Sequence, residues 1–253
     1  MSVASHGKTR GRWARLNERF FVEERKETAS AKRSLDVIAM VLVVTGLVVF
    51  GVMLFSVLTS GPLTDVDRPV ADWASKSRSD VVTVVMVALS LFFGPLVFPW
   101  ATLTVVVAWG VFAKHLWRPL LLAGGILVGV AGVRLLALLV GRGRPPLSTM
   151  LMEKDLSESF PSGQVVGASA FILLIAYLVF SRRKSRTSAV IAFAVAAALV
   201  IATAASRIYL GYHWTTDAVG SVGLALVILG VVMAVDTART VRVGREEPNA
   251  LPG

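Results

Sequence analysis

The stretch Ser206-Arg207-Ile208-Tyr209-Leu210-Gly211-Tyr212-His213-Trp214-Thr215-Thr216-Asp217 is wedged between two runs, residues 189–205 and 218–235, that carry no charge. It holds a histidine and a carboxylate, two scarce ingredients in this chain. If the backbone is helical from Tyr212 onward, His213 and Asp217 are four residues apart and share a face. The carboxylate can then hold one ring nitrogen and leave the other free, as for an oriented nucleophile or base. Arg207 adds a permanent cation with planar donors, which suits an oxyanion such as phosphate. From spacing alone, a capped helix start with a surface ion pair fits equally well.

The rest of the chain resembles the two flanking runs. With 55% hydrophobic residues, 17% charged residues and a mean hydropathy of +0.71, it is too apolar for an ordinary soluble domain. A helix that crosses a bilayer needs about 20 predominantly apolar residues, and six segments approach or exceed that length. They are 37–58, 81–113, 119–140, an apolar run that ends at Phe180, 189–205 and 218–235. The second is interrupted by Gly94-Pro95 and Pro99, so it is expected to break near Gly94 into a short dipping helix and a full span to Ala113. The fold class expected is therefore all-α, a six-transmembrane helical bundle. It divides into a basic arm over 1–36, a membrane domain over 37–236 and a tail over 237–253. Trp13, Leu16 and Phe20 fall at helical spacing among arginines, so the arm is either a short amphipathic helix on an anionic leaflet or a basic segment that sets topology. The absence of cysteine removes any disulfide framework or thiolate metal site.

The net charge of +10 does not imply nucleic acid, because the basic residues cluster at particular connections. Six spans put both termini on one side with the loops at 114–118 and 182–186, and the positive-inside rule makes that side the cytoplasm of a bacterial-type cytoplasmic membrane. Three other segments, 141–145, 161–164 and 206–217, then share the outer face. Arg142, Arg144 and Arg207 lie there, where basic residues are least expected. Pro161-Ser162-Gly163 marks a helix start, whose free N–H groups and positive dipole end favour an anion. Arg134 interrupts a span, which is a functional signal by default, although its side chain can also reach the interface. Apart from Arg134 the spans lack the buried charges and paired broken helices of a transport path.

Arg144-Pro145, Pro161-Ser162-Gly163, and Ser206-Arg207 followed by His213 and Asp217 resemble, in order and separation, the three motifs of the type 2 phosphatidic acid phosphatase superfamily. This is the lipid phosphatase family related to vanadium haloperoxidases, and the resemblance covers about 37–235. It implies a helical bundle with its site at the outer face, no metal or other cofactor, and a substrate drawn from the bilayer. By the same resemblance His213 is the nucleophile that forms a phosphohistidine and Asp217 orients it. Arg144, Arg207, Ser162 and the Gly163 N–H would cradle the phosphate. Two positions depart from the pattern. A lysine is replaced by Ala137, and the histidine that protonates the leaving group is replaced by Gln164, which has no proton to give at neutral pH.

Arg134, one helical turn before Ala137, and Arg142 are candidate compensating cations. For the lost acid no replacement is evident, although Glu153, Lys154, Asp155 and Glu158 lie in the preceding connection. The function expected is hydrolysis of a lipid phosphate or diphosphate. A polyprenyl diphosphate is favoured because phosphate leaves without the protonation that an alkoxide needs. The alternative is a catalytically impaired protein that binds or senses an anionic lipid.

Overall fold

The computed structural model describes residues 25–113, 115–181 and 185–243. The arm residues Trp13, Leu16 and Phe20, together with Lys114, Arg182, Arg183, Lys184 and Arg245, lie outside them. Eight α-helices occur among the described residues: α1 (Ala29–Thr59), α2 (Asp67–Lys76), α3 (Asp80–Phe92), α4 (Phe98–Ala113), α5 (Trp117–Val140), α6 (Gly163–Phe180), α7 (Arg186–Tyr209) and α8 (Thr215–Thr240). Two short strands, β1 (Arg25–Glu27) and β2 (Val241–Val243), pair in parallel, so the flanks of the first and last helices meet.

Five helices are long and apolar enough to cross a membrane: α1, α5, α6, α7 and α8. The apolar run over 81–113 does break near Gly94. Helix α3 ends at Phe92 and α4 starts at Phe98 with Pro99 in its first turn, where a missing N–H does no harm. Each piece, of 13 and 16 residues, is shorter than a full span. The six apolar segments thus fold as five long helices and one broken pair.

Helix ends follow local chemistry. The Thr28 hydroxyl caps α1, and a 2.7 Å ion pair between Lys32 and Asp36 extends that helix back from its apolar run. The helix therefore begins eight residues before the expected boundary at 37. Gly141, at φ 60°, ends α5 in the left-handed conformation and turns the chain into Arg142-Gly143-Arg144. Ser162 and Ser185 cap α6 and α7.

Helix α6 occupies the centre, with 67% of its span buried, whereas only 17% of α1 and of the α7 span is. It is apolar all round, as a helix enclosed by others must be. Helices α1 and α8 run antiparallel along a seam of small residues. A Cβ on Gly46 would lie 2.5 Å from the Gly223 carbonyl oxygen, and one on Gly230 would lie 2.7 Å from that of Ala39. Backbones approach this closely only where side chains are absent. The glycines of α8 thus serve packing within the chain. Gly125 and Gly129 do likewise, meeting Leu174 and Ile228.

Because successive apolar segments alternate in direction, with the broken pair α3–α4 counted as one, the connections 60–79, 141–162 and 210–214 gather at one end of the bundle. Arg78 ties them together, donating to the carbonyls of Thr149 (2.7 Å) and Tyr209 (2.9 Å).

Candidate active site

At that end a cavity of about 690 Å³ opens among α5, α6, the α3–α4 break and the connections. Arg134, Ala137, Arg144, Gly163, Gln164, Arg207 and His213 all line it. Phe93, Pro95 and Phe98 from the break, with Val133 and Leu138 from α5, form an apolar side to the same space. A polar head and an apolar tail can both be accommodated.

His213 sits in the turn between α7 and α8. That turn depends on Gly211, at φ 83°, where an added Cβ would fall 2.3 Å from the Thr149 carbonyl oxygen. The imidazole is 3% exposed. Its Nδ1 is 2.8 Å from the Ser159 carbonyl oxygen, which only accepts, so the ring proton is on Nδ1. Its Nε2 lies 3.1 Å from Arg144 Nη1, which only donates, so Nε2 presents a lone pair. Burial, reinforced by Arg207 and Arg144 and opposed by Asp217, pushes the imidazole pKa down to about 4. The ring is neutral at physiological pH.

The expected His213/Asp217 pair forms by a different route. His213 precedes the helix, which starts at Thr215, and Asp217 belongs to the helix cap. Its Oδ2 accepts from the Trp214 N–H at 2.9 Å. The same oxygen lies 3.5 Å from His213 Nδ1. Asp217 also accepts from the Ser159 hydroxyl and from Arg142 Nη1. Ser159 thus touches both residues, giving its carbonyl to the imidazole and its hydroxyl to the carboxylate.

Arg142, a candidate phosphate cation by sequence, stands instead behind Asp217. Its other guanidinium arm pairs with Asp67 at 2.6 Å, and Nη1 also donates to Thr216 Oγ1 at 2.7 Å. Asp67 in turn accepts from the Thr216 N–H at 2.9 Å and hydroxyl at 2.7 Å. With its donors held by two carboxylates, Arg142 is a bridge within the scaffold. Arg134 lines the cavity and forms no hydrogen bond or ion pair among the described residues, so of the two candidates it is the cation placed to meet an anion.

Arg144 donates to the Tyr212 carbonyl (2.8 Å) and to Ser157, and pairs with Asp155 at 2.9 Å. Partial burial lowers its pKa against the pull of that carboxylate. Hydrogen bonds from Ser157 and the charge of Arg144 outweigh the burial of Asp155 and hold its carboxyl below the usual range. Arg207 is 7% exposed, stacks 4.3 Å from the Tyr212 ring and donates to the Ser90 hydroxyl at 2.7 Å, while its buried Nε has no partner. Gln164 donates its amide to the Ser90 carbonyl at 3.1 Å. Ser162 is fully buried: its hydroxyl caps α6 and its N–H donates to Ser221 at 2.8 Å. The Gly163 N–H has no partner among the described residues, and Gly163 lines the cavity as the first residue of its helix.

Asp67, Ser90, Ser159 and Ser221 were not singled out in the sequence. Of these, Asp67 carried a weak signal as one of several charges in a polar connection. The serines carried none.

Residues 118–240 match the PAP2 superfamily. Curated protein sequences give no match. Among solved structures, the chain is similar to a transmembrane PAP2-type phosphatidylglycerolphosphate phosphatase from Bacillus subtilis, with 21% identity and a TM-score of 0.69 over 76% of this chain and 94% of that one. It is also similar to LpxE from Aquifex aeolicus, with 18% identity and a TM-score of 0.52 over 66% of this chain and 94% of that one. At these identities the likeness concerns the fold. All three motifs fall within residues 118–240, the part of the chain that matches the PAP2 superfamily.

Proposed function

We propose that the protein is a membrane phosphatase that hydrolyses a lipid phosphate or diphosphate through a phosphohistidine on His213. The observation that carries this reading is the neutral imidazole: its Nδ1–H is held by Ser159, and its Nε2 lone pair faces Arg144 in a cavity that Arg134 and Arg207 also line. In the first step Nε2 attacks phosphorus while the bond to the leaving oxygen breaks and its electron pair departs with that oxygen. Asp217 and the Ser159 carbonyl stabilise the imidazole as positive charge develops. Arg144, Arg207 and the Gly163 N–H stabilise the equatorial oxygens, and such charge stabilisation supplies most of phosphoryl-transfer catalysis. The unpartnered Arg207 Nε gains an acceptor when an anion binds.

Gln164 is no proton donor, and losing a general acid typically costs about 100- to 10,000-fold. A diphosphate substrate avoids this loss, since its leaving phosphate needs little protonation. A polyprenyl diphosphate is therefore favoured over phosphatidate. Six membrane crossings, counting the broken pair as one, would put both termini in the cytoplasm and the site at the outer face. The arm over 1–36 and tail over 237–253 would then be cytoplasmic.

Purified protein is expected to release phosphate faster from polyprenyl diphosphate than from phosphatidate, and His213→Ala to abolish the release. Equal release by that variant overturns the catalytic reading. The engagement of Gln164 with Ser90 also suits a second reading, a protein that binds an anionic lipid without turnover. Restoring the pattern with Gln164→His and Ala137→Lys separates the two: activity appearing only in the restored protein supports the second.

A further inference from the structure

We infer that Glu158 is the general base that activates water to hydrolyse the phosphohistidine, taking over the proton-handling role that Gln164 cannot perform. The inference rests on the proposed function above. Six titratable side chains line the catalytic cavity: Arg134, Arg144, Asp155, Glu158, Arg207 and His213. The arginines hold their protons throughout. His213 is the nucleophile, and its Nε2 is occupied by phosphorus once the intermediate forms. Asp155 is committed, with one oxygen on Arg144 at 2.9 Å and the other accepting from the Ser157 N–H and hydroxyl. Glu158 is half-buried and forms no hydrogen bond or ion pair among the described residues. It is the one group lining the cavity free to take a proton.

Its position suits the task. A second groove of about 460 Å³, formed by the connection over 141–147 and 155–158, shares Arg144, Asp155, Ser157 and Glu158 with the catalytic cavity. This groove belongs to the connections at the helix ends, and in the inferred role it is the route by which water reaches the cavity past Glu158. Glu158 is also within electrostatic range of Arg144, whose Nη1 lies 3.1 Å from His213 Nε2.

In the step itself, the Glu158 carboxylate takes a proton from water as the water oxygen bonds to phosphorus. The P–Nε2 bond breaks, its electron pair returns to the imidazole, and inorganic phosphate leaves. The proton on Glu158 then passes to solvent through this second groove. A base is required in this half-reaction whatever the leaving group of the first.

The test is a rapid-quench experiment with polyprenyl diphosphate labelled in its terminal phosphate, on wild-type protein, Glu158→Gln and Glu158→Asp. Glu158→Gln is expected to label His213 to the wild-type level and to lose the label, and release phosphate, about 100-fold more slowly or worse. Glu158→Asp should recover part of the rate. The trapped label should be acid-labile and base-stable, as a phosphoramidate is. Thermal unfolding of Glu158→Gln should match wild type, because the side chain has no partners to lose. If wild-type protein is labelled and Glu158→Gln turns over at the wild-type rate, or is never labelled, the assignment of Glu158 fails and the proposed function stands. If wild-type protein is never labelled, both fail.

Discussion

The imidazole of His213 is held in one state by three features that act together. Nδ1 is tied to the Ser159 carbonyl, Nε2 faces Arg144, and the ring is almost wholly out of solvent. Its pKa of about 4, against the ordinary 6.5, follows mainly from that burial. The folded protein thus binds this proton only near pH 4, while the unfolded chain binds it near 6.5. Between those values the unfolded state holds more protons, so the contribution of His213 to stability falls as pH drops through that window. In 15N-labelled protein with His6→Gln and His115→Asn, the remaining imidazole should keep the neutral, Nδ1-protonated signature down to about pH 4. A transition near 6.5 would contradict the buried neutral ring. That His213 and Asp217 meet was legible from their spacing, although the structure brings them together through the helix cap and not on a shared helix face. The role of Ser159 was not, since its contribution to the ring is a backbone carbonyl that any residue type offers.

Three elements far apart in sequence lock the site together: the first residue of α2, the turn after α5 and the first turn of α8. Asp67 fastens the Thr216 backbone and the Arg142 guanidinium, and Arg142 fastens Asp217. With Asp67 at 3% exposure, Asp67→Ala leaves a mostly buried arginine short of one counter-charge. Breaking a buried pair from one side costs about 3–5 kcal/mol. The expected result is a lower unfolding temperature in detergent and a fall in kcat larger than any rise in KM, because Asp67 touches the helix cap that sets Asp217 and does not line the cavity. A change confined to KM would place Asp67 in substrate binding instead. The broken pair α3–α4 could be read from Gly94-Pro95 and Pro99, whose backbone effects are local. Helix α2 is only ten residues long within a polar connection, and the partner that explains Asp67 lies 75 residues later in the chain. In the α1–α8 seam, only the fold identifies Gly46 and Ala39 as what Gly223 and Gly230 approach.

At the scale of the whole molecule, the bundle separates two kinds of ends. One carries the connections 60–79, 141–162 and 210–214 with every motif residue. The other carries the β1–β2 pair and the connections beside residues 114 and 182–184, where the sequence is densely basic. This polarity was readable from the order of apolar runs, because alternation of direction follows from successive crossings and does not depend on packing detail. What the order alone did not give was which helix sits centrally, since α6 is no more apolar than its lipid-facing neighbours and its place is set by how the others pack around it. The same alternation makes orientation a measurable quantity. The chain contains no cysteine, so single introduced thiols report without background. Leu156, 83% exposed in the motif-bearing connection, and Ser185, exposed at the start of α7, stand at opposite ends. The positive-inside rule assigns the basic end to the cytoplasm. In intact cells, a membrane-impermeant maleimide should therefore label Leu156→Cys directly and Ser185→Cys only after the membrane is permeabilised. The reverse pattern would turn the site to the cytoplasm. Labelling of both in intact cells would mean that α6, the one helix between them, does not cross the membrane, and would remove the six-crossing arrangement.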